Sequence, residues 1–552
     1  MKSRIYAISA IMALCLTACN SSDFLDMTPT DRVSAKTIWE NTENAEYSIN
    51  YLYTYIWDIN SSPTVVGLTE SLTDEMKYTS YNYNALCYIP SEVAYGSSNL
   101  TYSYVDSYLG YWGTLYQAIR QTNEGISYLH QFGQMSDADK ARLEAELRFM
   151  RGYLYFELVK RYKDVIIYDE DLSAIKKDRE LDSENEAWDF VQADLEYAAE
   201  NLPAAASARG RIDCGMAYAL LSRAMLYAER YSVVISAADK VSELGYTLER
   251  NYADAFTKTL AEGNREAILQ YSFDYDKGIT HSFNFYYTPG GDYTLIDSKG
   301  GAYGVPTQEM VESYELAEGG FPDWTPWHSE TGTKEVPPYQ KLEPRFQATI
   351  LYNGAEWKGR TIEPYVGGTD GWAEWKTEKE PKGRTVTGYY LRKLVDENFN
   401  VNTSASSQPF TFIRYAEVLL NKAEACYRTN DIDGANAAIT AIRSRVNLPY
   451  KAKTGDELWD AIRQERKVEL AYEGLHYWDL RRWKDAAKDY PEGLCNYKLH
   501  GMKIVKSGSS FVYSYVTIDD KDRNFPERLY RFPLPASELN SNSLVEQYPE
   551  WK

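Results

Sequence analysis

Positive charge is scarce in this sequence relative to negative charge. The 552 residues include 59 Lys and Arg against 80 Asp and Glu, which gives a formal net charge of −21 at pH 7. Because nucleic acids are bound through clustered Lys and Arg side chains, this balance argues against a nucleic-acid partner. The same negative charge would repel a polyanionic ligand, but it places no restriction on a neutral one.

Residues that bind metals or form disulfides are also few. The chain has five His and six Cys, and neither set shows the spacing of a zinc or redox motif. A G-x-S-x-G motif for nucleophilic catalysis is absent as well. The sequence therefore predicts no metal site and no cofactor. Four Cys lie beyond the N-terminal region, and we expect buried free thiols at Cys87, Cys214, Cys426 and Cys495.

The chain also lacks a hydrophobic run long enough to cross a membrane. A spanning helix needs about 20 apolar residues, whereas the run at the N-terminus covers only residues 5–16. Leu16-Thr17-Ala18-Cys19 follows it, which is typical of a bacterial lipoprotein signal. We expect a signal peptide at 1–18, acylation of Cys19 and a tether at 19–33, so that acyl chains hold the protein on a membrane surface. An ordinary signal peptide with an incidental Cys is the alternative.

Helical periodicity covers both ends of the remaining chain. The clearest helix runs from Ser136 to Tyr162 and repeats apolar residues along one face. Residues 250–410 are instead rich in Gly, Pro, Tyr and Trp, which predicts irregular loops with a few hairpins. The face of the clearest helix carries Leu143, Leu147, Met150, Leu154 and Leu158. Further helices are predicted at about 106–130, 184–201, 213–229, 232–244, 412–430, 431–446, 454–472 and 475–488.

Two of these predicted helix pairs are alike. With an offset of 199 residues, five small or apolar positions coincide, and small residues at fixed places let paired helices pack closely, as in tetratricopeptide repeats. Chance similarity is the alternative. In either case the fold class is mainly α, a helical repeat scaffold with a large irregular insertion that contains short β-hairpins. The coinciding positions are Ala217/Ala416, Leu220/Leu419, Leu221/Leu420, Ala224/Ala423 and Ala238/Ala437.

Several motifs follow one another in a fixed order from Cys19 to the last residue. They are Asp23-Phe24-Leu25-Asp26, residues 146–156 with 162–165, Gly210-Arg211 with residues 217–221, residues 414–420 with 423–425, residues 465–474 with 478–483, residues 532–535, and residues 546–551. Together they resemble the SusD/RagB family of lipoproteins. Three places depart from the family pattern: Gly152 stands where Ala is common, Lys163 replaces the usual Gly of a Tyr-Gly-Asp turn, and Leu475-His476 replaces the usual His-Arg before a Trp-Asp pair.

The resemblance implies a cell-surface lipoprotein of the outer membrane in Bacteroidota. Such a protein captures a nutrient, usually a glycan, for a SusC-like TonB-dependent transporter. The implied fold is a set of tetratricopeptide-type helix pairs in a single domain over 34–552, with a helical scaffold at about 34–249 and 411–490. Residues 250–410 would then form the loop-rich ligand-binding region. A peptide-binding RagB-like protein is the alternative.

Aromatic residues are the strongest candidates for ligand contact. The sequence has 49 Tyr and 13 Trp, and a flat ring can stack on the apolar C–H face of a sugar. In the family, such rings come from a loop near residue 80 and from the stretch before a helix that here begins at Pro306-Thr307, so the matching regions are 77–90 and 283–293. Packing of loops onto helices is the alternative reading, and it is favoured for Tyr104, Tyr108 and Tyr111. We expect exposed rings at Tyr81, Tyr83, Tyr286, Tyr287, Trp324 and Trp327.

Two other sequence patterns could suggest an enzyme. Glu465, Glu469 and Glu473 lie four residues apart on one helical row, but apolar residues continue that row, so buried ion pairs are expected rather than catalysis. Residues 354–361 nearly match a phosphate loop without its Lys, and we predict a hairpin there. The Arg expected to pair with the row are Arg414, Arg443, Arg445, Arg481 and Arg482. A surface hydrolase would instead need paired carboxylates in the aromatic region, for instance among Asp292, Asp297 and Glu374.

Overall fold

A computed structural model describes most of the chain. The described residues are 34–60, 69–79, 92–96, 105, 109–174, 178–208, 210–294, 300–374, 383–402 and 405–552. The predicted signal peptide, Cys19 and the tether lie outside them, as do Tyr81, Tyr83, Cys87 and Asp297. Within this part of the chain, no helix is both long and apolar enough to cross a membrane.

The first half of the chain is a succession of helices. Ser34 begins α1 by accepting a hydrogen bond from the Thr37 amide (3.2 Å), and Ser183 and Glu186 form a capping box on α6. The helices are α1 Ala35–Trp39, α2 Thr42–Leu52, α3 Thr54–Asn60, α4 Trp112–Phe132, α5 Asp137–Tyr162, α6 Glu184–Asn201, α7 Cys214–Tyr227 and α8 Tyr231–Glu243.

The predicted apolar face of α5 is confirmed. Its five predicted positions, from Leu143 to Leu158, are fully buried. Gly152 lies on α5 at a close contact with α6, because a Cβ there would stand 2.8 Å from Leu195. Lys163 ends the helix with a φ of +66°, in the left-handed region where the family's Gly is favoured.

The loop-rich middle contains short helices and short strands, as the sequence predicts. Among the described residues there are five two-stranded antiparallel sheets, one of which lies beyond this region, at residues 500–517. The helices are α9 Asp254–Thr257, α10 Phe283–Tyr287, α11 Gly291–Thr294, α12 Gln308–Glu312 and α13 Pro344–Thr349. The strands are β1 Met76–Tyr78, β2 Ala267–Tyr271, β3 Gly304–Pro306, β4 Ile350–Leu351, β5 Glu356–Trp357, β6 Arg360–Thr361, β7 Tyr390–Leu391, β8 Phe410–Arg414, β9 His500–Ser507 and β10 Ser510–Thr517. They pair as β1–β3, β2–β8, β4–β7, β5–β6 and β9–β10.

Helices resume after β8 and pack on the first set. The Asn421 amide donates to the Ser222 hydroxyl (3.3 Å), and these residues of α7 and α14 are themselves 199 positions apart, so the two predicted repeats contact each other at equivalent places. At one of the coinciding pairs the surroundings differ, because Ala238 is buried whereas Ala437 is exposed. The later helices are α14 Tyr415–Arg428, α15 Ile432–Arg445, α16 Gly455–Glu469, α17 His476–Arg482 and α18 Ala536–Ser541.

Two predicted helices have different limits. The regular helix α4 begins at Trp112 rather than near residue 106, because Tyr111 has a φ of +64°. α17 ends at Arg482 rather than near residue 488, since Lys484 has a φ of +64° and turns the chain away. Tyr111 packs against the helical core, as predicted, whereas Tyr104 and Tyr108 lie outside the described residues.

The predicted carboxylate row of α16 forms buried ion pairs. Glu469 is fully buried and contacts Arg414 (2.6 Å), Arg345 (3.0 Å) and Arg445. Arg345 belongs to the loop region, whereas the others belong to the helical scaffold, so this network joins the two parts.

Of the other Arg residues predicted to pair with the carboxylate row, some do so and others do not. Arg443 pairs with Glu465 (3.1 Å), as expected. Arg481 and Arg482 do not pair with the row: Arg481 donates to backbone carbonyls at Leu529 and Tyr530, and Arg482 pairs with Glu424. They lie beyond the end of α16, on α17, which turns them toward other partners.

Candidate functional site

The two regions expected to contact ligand, 77–90 and 283–293, are linked through Tyr303, which lies at the end of one small sheet. β1 pairs with β3, and just beyond them the Thr79 amide donates to the Tyr303 carbonyl (3.1 Å). The Tyr303 amide in turn donates to the Tyr286 carbonyl (2.9 Å). Thr79 of the first region is therefore linked to Tyr286 of the second through the backbone of Tyr303.

Three partly exposed rings gather at this place. The ring of Tyr286 stands edge-on to Phe285 (centroids 5.3 Å apart) and to Tyr303 (5.0 Å), and none of the three is fully buried. Edge-on contacts of this kind hold aromatic rings in fixed relative positions. We call Phe285, Tyr286 and Tyr303 the Tyr286 cluster.

The short helix α10 explains which rings face outward. Phe283 and Tyr287 are four residues apart, lie on the same face and pack with their ring centroids 4.4 Å apart. Both belong to the core of the loop region. Phe285 lies on the opposite side of the single helical turn and Tyr286 at its flank, and both are only partly buried.

Three of the expected exposed rings are buried, so that expectation is wrong for them. Tyr287 is 2% exposed, Trp324 6% and Trp327 7%. Trp324 precedes a 3₁₀ turn that contains Pro326, and Trp327 is the last residue of that turn. Both rings pack onto the core of the loop region and onto each other (centroids 5.7 Å apart). The Trp327 indole N–H also donates to the Glu335 carbonyl (2.9 Å). A buried ring presents no face on which a sugar can stack.

A junction of glycines lies behind the cluster, and sequence reasoning missed it. A Cβ on Gly290 would stand 1.6 Å from the Gly383 carbonyl oxygen, and one on Gly383 would stand 2.1 Å from that of Gly300. Three chain segments therefore touch backbone to backbone, which only glycine permits. The Gly-Gly pairs at 290–291 and 300–301 were the available signal.

Asp292 and Asp370 are held together by one guanidinium. Arg360 contacts Asp292 (2.7 Å) and Asp370 (2.7 Å), and Lys358 adds a further contact to Asp292 (3.2 Å). Burial lowers the pKa of Arg360, but the hydrogen bonds and charges of Asp370 and Asp292 outweigh it, and the pKa is raised. These contacts fasten the β5–β6 hairpin to α11.

The structure also tests two further predictions, the hairpin at residues 354–361 and the carboxylate pair that a hydrolase would need. Residues 354–361 form the predicted hairpin, with Lys358 (φ +50°) and Gly359 (φ +73°) in its turn. Asp292 is occupied by cationic partners and Glu374 is paired with Lys503, so the two do not form the open carboxylate pair that a hydrolase needs. Among the described residues, no group of His, Cys, Asp and Glu is arranged to hold a metal ion.

Comparison with models of known protein families identifies the family to which this architecture belongs. The model described as SusD family matches residues 265–551, and a second model, described as starch-binding associating with outer membrane, matches residues 23–226. The chain belongs to the SusD family. Its helix pairs are accordingly the tetratricopeptide-type fold that this family shares.

Individual relatives of this SusD-family chain match over nearly their whole length. A SusD-like protein of Bacteroides ovatus is 24% identical, over 100% of this chain and 98% of its own. A SusD-like protein of Bacteroides fragilis superposes with a TM-score of 0.77 at 27% identity, covering 95% of this chain and 100% of its own. A laminarin-binding SusD-like protein superposes with a TM-score of 0.66 at 21% identity, covering 93% and 100%.

The cysteines of the SusD-family chain agree with the sequence prediction where they are described. Cys214, Cys426 and Cys495 are buried free thiols. Burial raises the pKa of the Cys426 thiol to about 12, so it stays protonated at neutral pH. These thiols pack in the scaffold and do not belong to the Tyr286 cluster.

Proposed function

We propose that this protein is a non-catalytic glycan-binding protein whose ligand contacts the Tyr286 cluster. The observation that carries the proposal is the meeting of partly exposed rings where the two expected ligand regions join. A tyrosine ring offers an apolar face to the C–H side of a sugar while its hydroxyl remains in contact with water. The laminarin-binding relative and the starch-binding description of the second family model support a carbohydrate ligand.

We expect the binding to be weak. A few stacked rings and hydrogen bonds to well-hydrated hydroxyls give dissociation constants from about micromolar to millimolar, or about −8 to −4 kcal/mol. A protein that passes its ligand to a transporter must release it, and weak binding allows fast release.

We also propose where the protein acts. After removal of residues 1–18, acyl chains on Cys19 would hold residues 19–33 as a tether and residues 34–552 as a single domain on the outer membrane, at the cell surface. From there the domain would deliver glycan to a SusC-like TonB-dependent transporter. The description of the second family model, which names the outer membrane, supports this location.

Affinity electrophoresis of residues 20–552 tests the ligand. These residues include all that the structure describes, and the gels would contain laminarin, xyloglucan or another soluble polysaccharide. We expect one glycan to retard the protein, Tyr286→Ala to weaken that retardation at least about tenfold, equivalent to about 1.4 kcal/mol, and no sugar product to appear.

The matched control is Tyr275→Ala, which removes a tyrosine that is 56% exposed and lies outside the cluster. Retardation that survives Tyr286→Ala unchanged would contradict the proposed site. Retardation by no glycan, with binding of an extended peptide instead, would establish the peptide-binding alternative.

A further inference from the structure

A second groove lies on the helical scaffold, away from the loop region. It has a volume of about 870 Å³ and runs between α1, α2 and α4. This volume lies in the range of about 300 to 1,000 Å³ that small-molecule sites occupy. Its floor includes Trp39 and Gly125, and its rim carries Tyr47, Tyr51 and Tyr128.

The floor of the groove depends on one glycine. A Cβ on Gly125 would stand 3.0 Å from the Trp39 ring and 3.0 Å from Leu147. The absence of a side chain therefore lets the Trp39 ring approach α4 closely. An alanine there would push the ring outward and make the groove shallower.

Two tyrosines on α2 present their rings to water. Tyr47 is 66% exposed and Tyr51 is 57% exposed. They are four residues apart, so their rings lie side by side on one helix face, with Cβ atoms about 5 to 6 Å apart. Tyr128 of α4 also lines the groove. Exposed rings gathered in one concave place are typical of binding surfaces.

The polar groups of the groove suit a ligand with hydroxyls. Ser48, between the two tyrosines, makes no side-chain hydrogen bond to any described residue. Gln121 uses its carbonyl to accept from Tyr55 (3.3 Å) and retains its amide donors, and Glu124 binds Arg120 through one carboxylate oxygen. Donors and acceptors are thus available on both sides of the rings.

The charge of the groove points to a neutral ligand. Among the described residues that line it, none is Lys or Arg, and Glu124 is the one charged residue. An anionic headgroup, phosphate or acidic peptide would find no cation there, and the net charge of −21 would repel it. A chain of neutral sugars meets every feature of the lining: rings for its apolar faces and uncharged donors and acceptors for its hydroxyls.

We propose that the groove between α1, α2 and α4 is a second glycan site, which binds another segment of the same polysaccharide that contacts the Tyr286 cluster. The inference rests on the proposed function. α1 begins directly after the predicted tether, so this site belongs to the part of the scaffold that the anchor joins. Two weak sites on one protein strengthen the binding of a long chain without any new contact.

The test compares three variants of residues 20–552 on laminarin gels: Tyr47→Ala with Tyr51→Ala, Tyr286→Ala, and all three together. Both α2 rings are exposed, so the double variant should fold, which circular dichroism checks. We expect the α2 double variant to weaken binding of the polysaccharide about three- to tenfold. It should leave the affinity for a short laminarin oligosaccharide within twofold, because one site suffices for a short ligand.

The outcomes separate the two proposals. One outcome is that the α2 double variant binds polysaccharide with the affinity of the wild type while Tyr286→Ala binds it more weakly. That result would overturn the second site and leave the proposed function standing. If the α2 double variant alone loses binding, the groove is a glycan site and the Tyr286 cluster is not. If no soluble glycan retards the wild type, both proposals are overturned.

Discussion

Tyr286 and Trp324 have the same expected role in the sequence but differ in the structure, and a substitution at each separates the roles. Trp324 is buried against Trp327 and Tyr339, so Trp324→Ala should lower the free energy of unfolding by about 3 to 5 kcal/mol. The protein that remains folded should bind glycan with unchanged affinity. Tyr286→Ala should instead leave the free energy of unfolding nearly unchanged, because the Tyr286 ring is only partly buried, and it should weaken glycan binding.

Urea unfolding followed by tryptophan fluorescence measures the stabilities of both variants, and titration calorimetry measures their affinities. Loss of affinity in folded Trp324→Ala protein would show that this ring reaches the ligand after all.

A second residue-scale feature predicts a pH dependence. Burial raises the pKa of Glu70 to about 7 and that of Glu75 to about 8. From the ordinary glutamate pKa of about 4.3 up to these values, the folded chain binds more protons than the unfolded chain, so stability falls as the pH rises. Glu75→Gln mimics the protonated acid and should reduce the loss of stability between pH 5 and pH 8 by about 1 kcal/mol or more.

The matched control is Glu457→Gln, an exposed residue of α16. Thermal unfolding of the three proteins at several pH values measures the effect. An equally steep loss of stability in Glu75→Gln and in the wild type would contradict the account.

At the scale of elements, the glycine junction is expected to hold α10 in place. Gly383 has a φ of +74°, and a Cβ on it would meet the Gly300 carbonyl oxygen at 2.1 Å. Gly383→Ala should therefore cost about 2 to 4 kcal/mol of unfolding free energy, from the left-handed backbone and the clash together. Because the junction lies beside α10, glycan affinity should fall as well.

Gly367→Ala is the control for backbone strain alone. Its φ is +80° and a Cβ there would meet nothing within 4 Å, so we expect a cost of about 1 to 2 kcal/mol and no change in affinity. Hydrogen exchange of residues 283–303 reports directly on the junction. Equal exchange in the two variants would show that the junction does not hold α10.

Elements with a strong period could be predicted from the sequence, and side-chain exposure within irregular segments could not. The period of α5 fixes its buried face, and all five predicted positions are buried. Tyr286 and Tyr287 are neighbours of the same type, and only the packing of Phe283 and Tyr287 decides which ring emerges. No local pattern encodes that choice, because it depends on a core built from distant residues.

At the scale of the whole molecule, the scaffold and the loop region are joined by buried charge. Glu469 contacts Arg345 of the loop region and Arg414 of the scaffold. Burial of Glu469 raises its pKa, but the charges of Arg445, Arg414 and Arg345 outweigh this and hold the pKa well below its usual range. The carboxylate row that could suggest catalysis thus fixes the loop region, and with it the Tyr286 cluster, to the helices.

The most direct test of this account is a crystal structure of the protein with an oligosaccharide from the glycan that retards it most. We expect a sugar ring stacked on Tyr286, next to Tyr303, with Tyr287, Trp324 and Trp327 still buried. A sugar bound elsewhere in the loop region, with the face of Tyr286 empty, would contradict it.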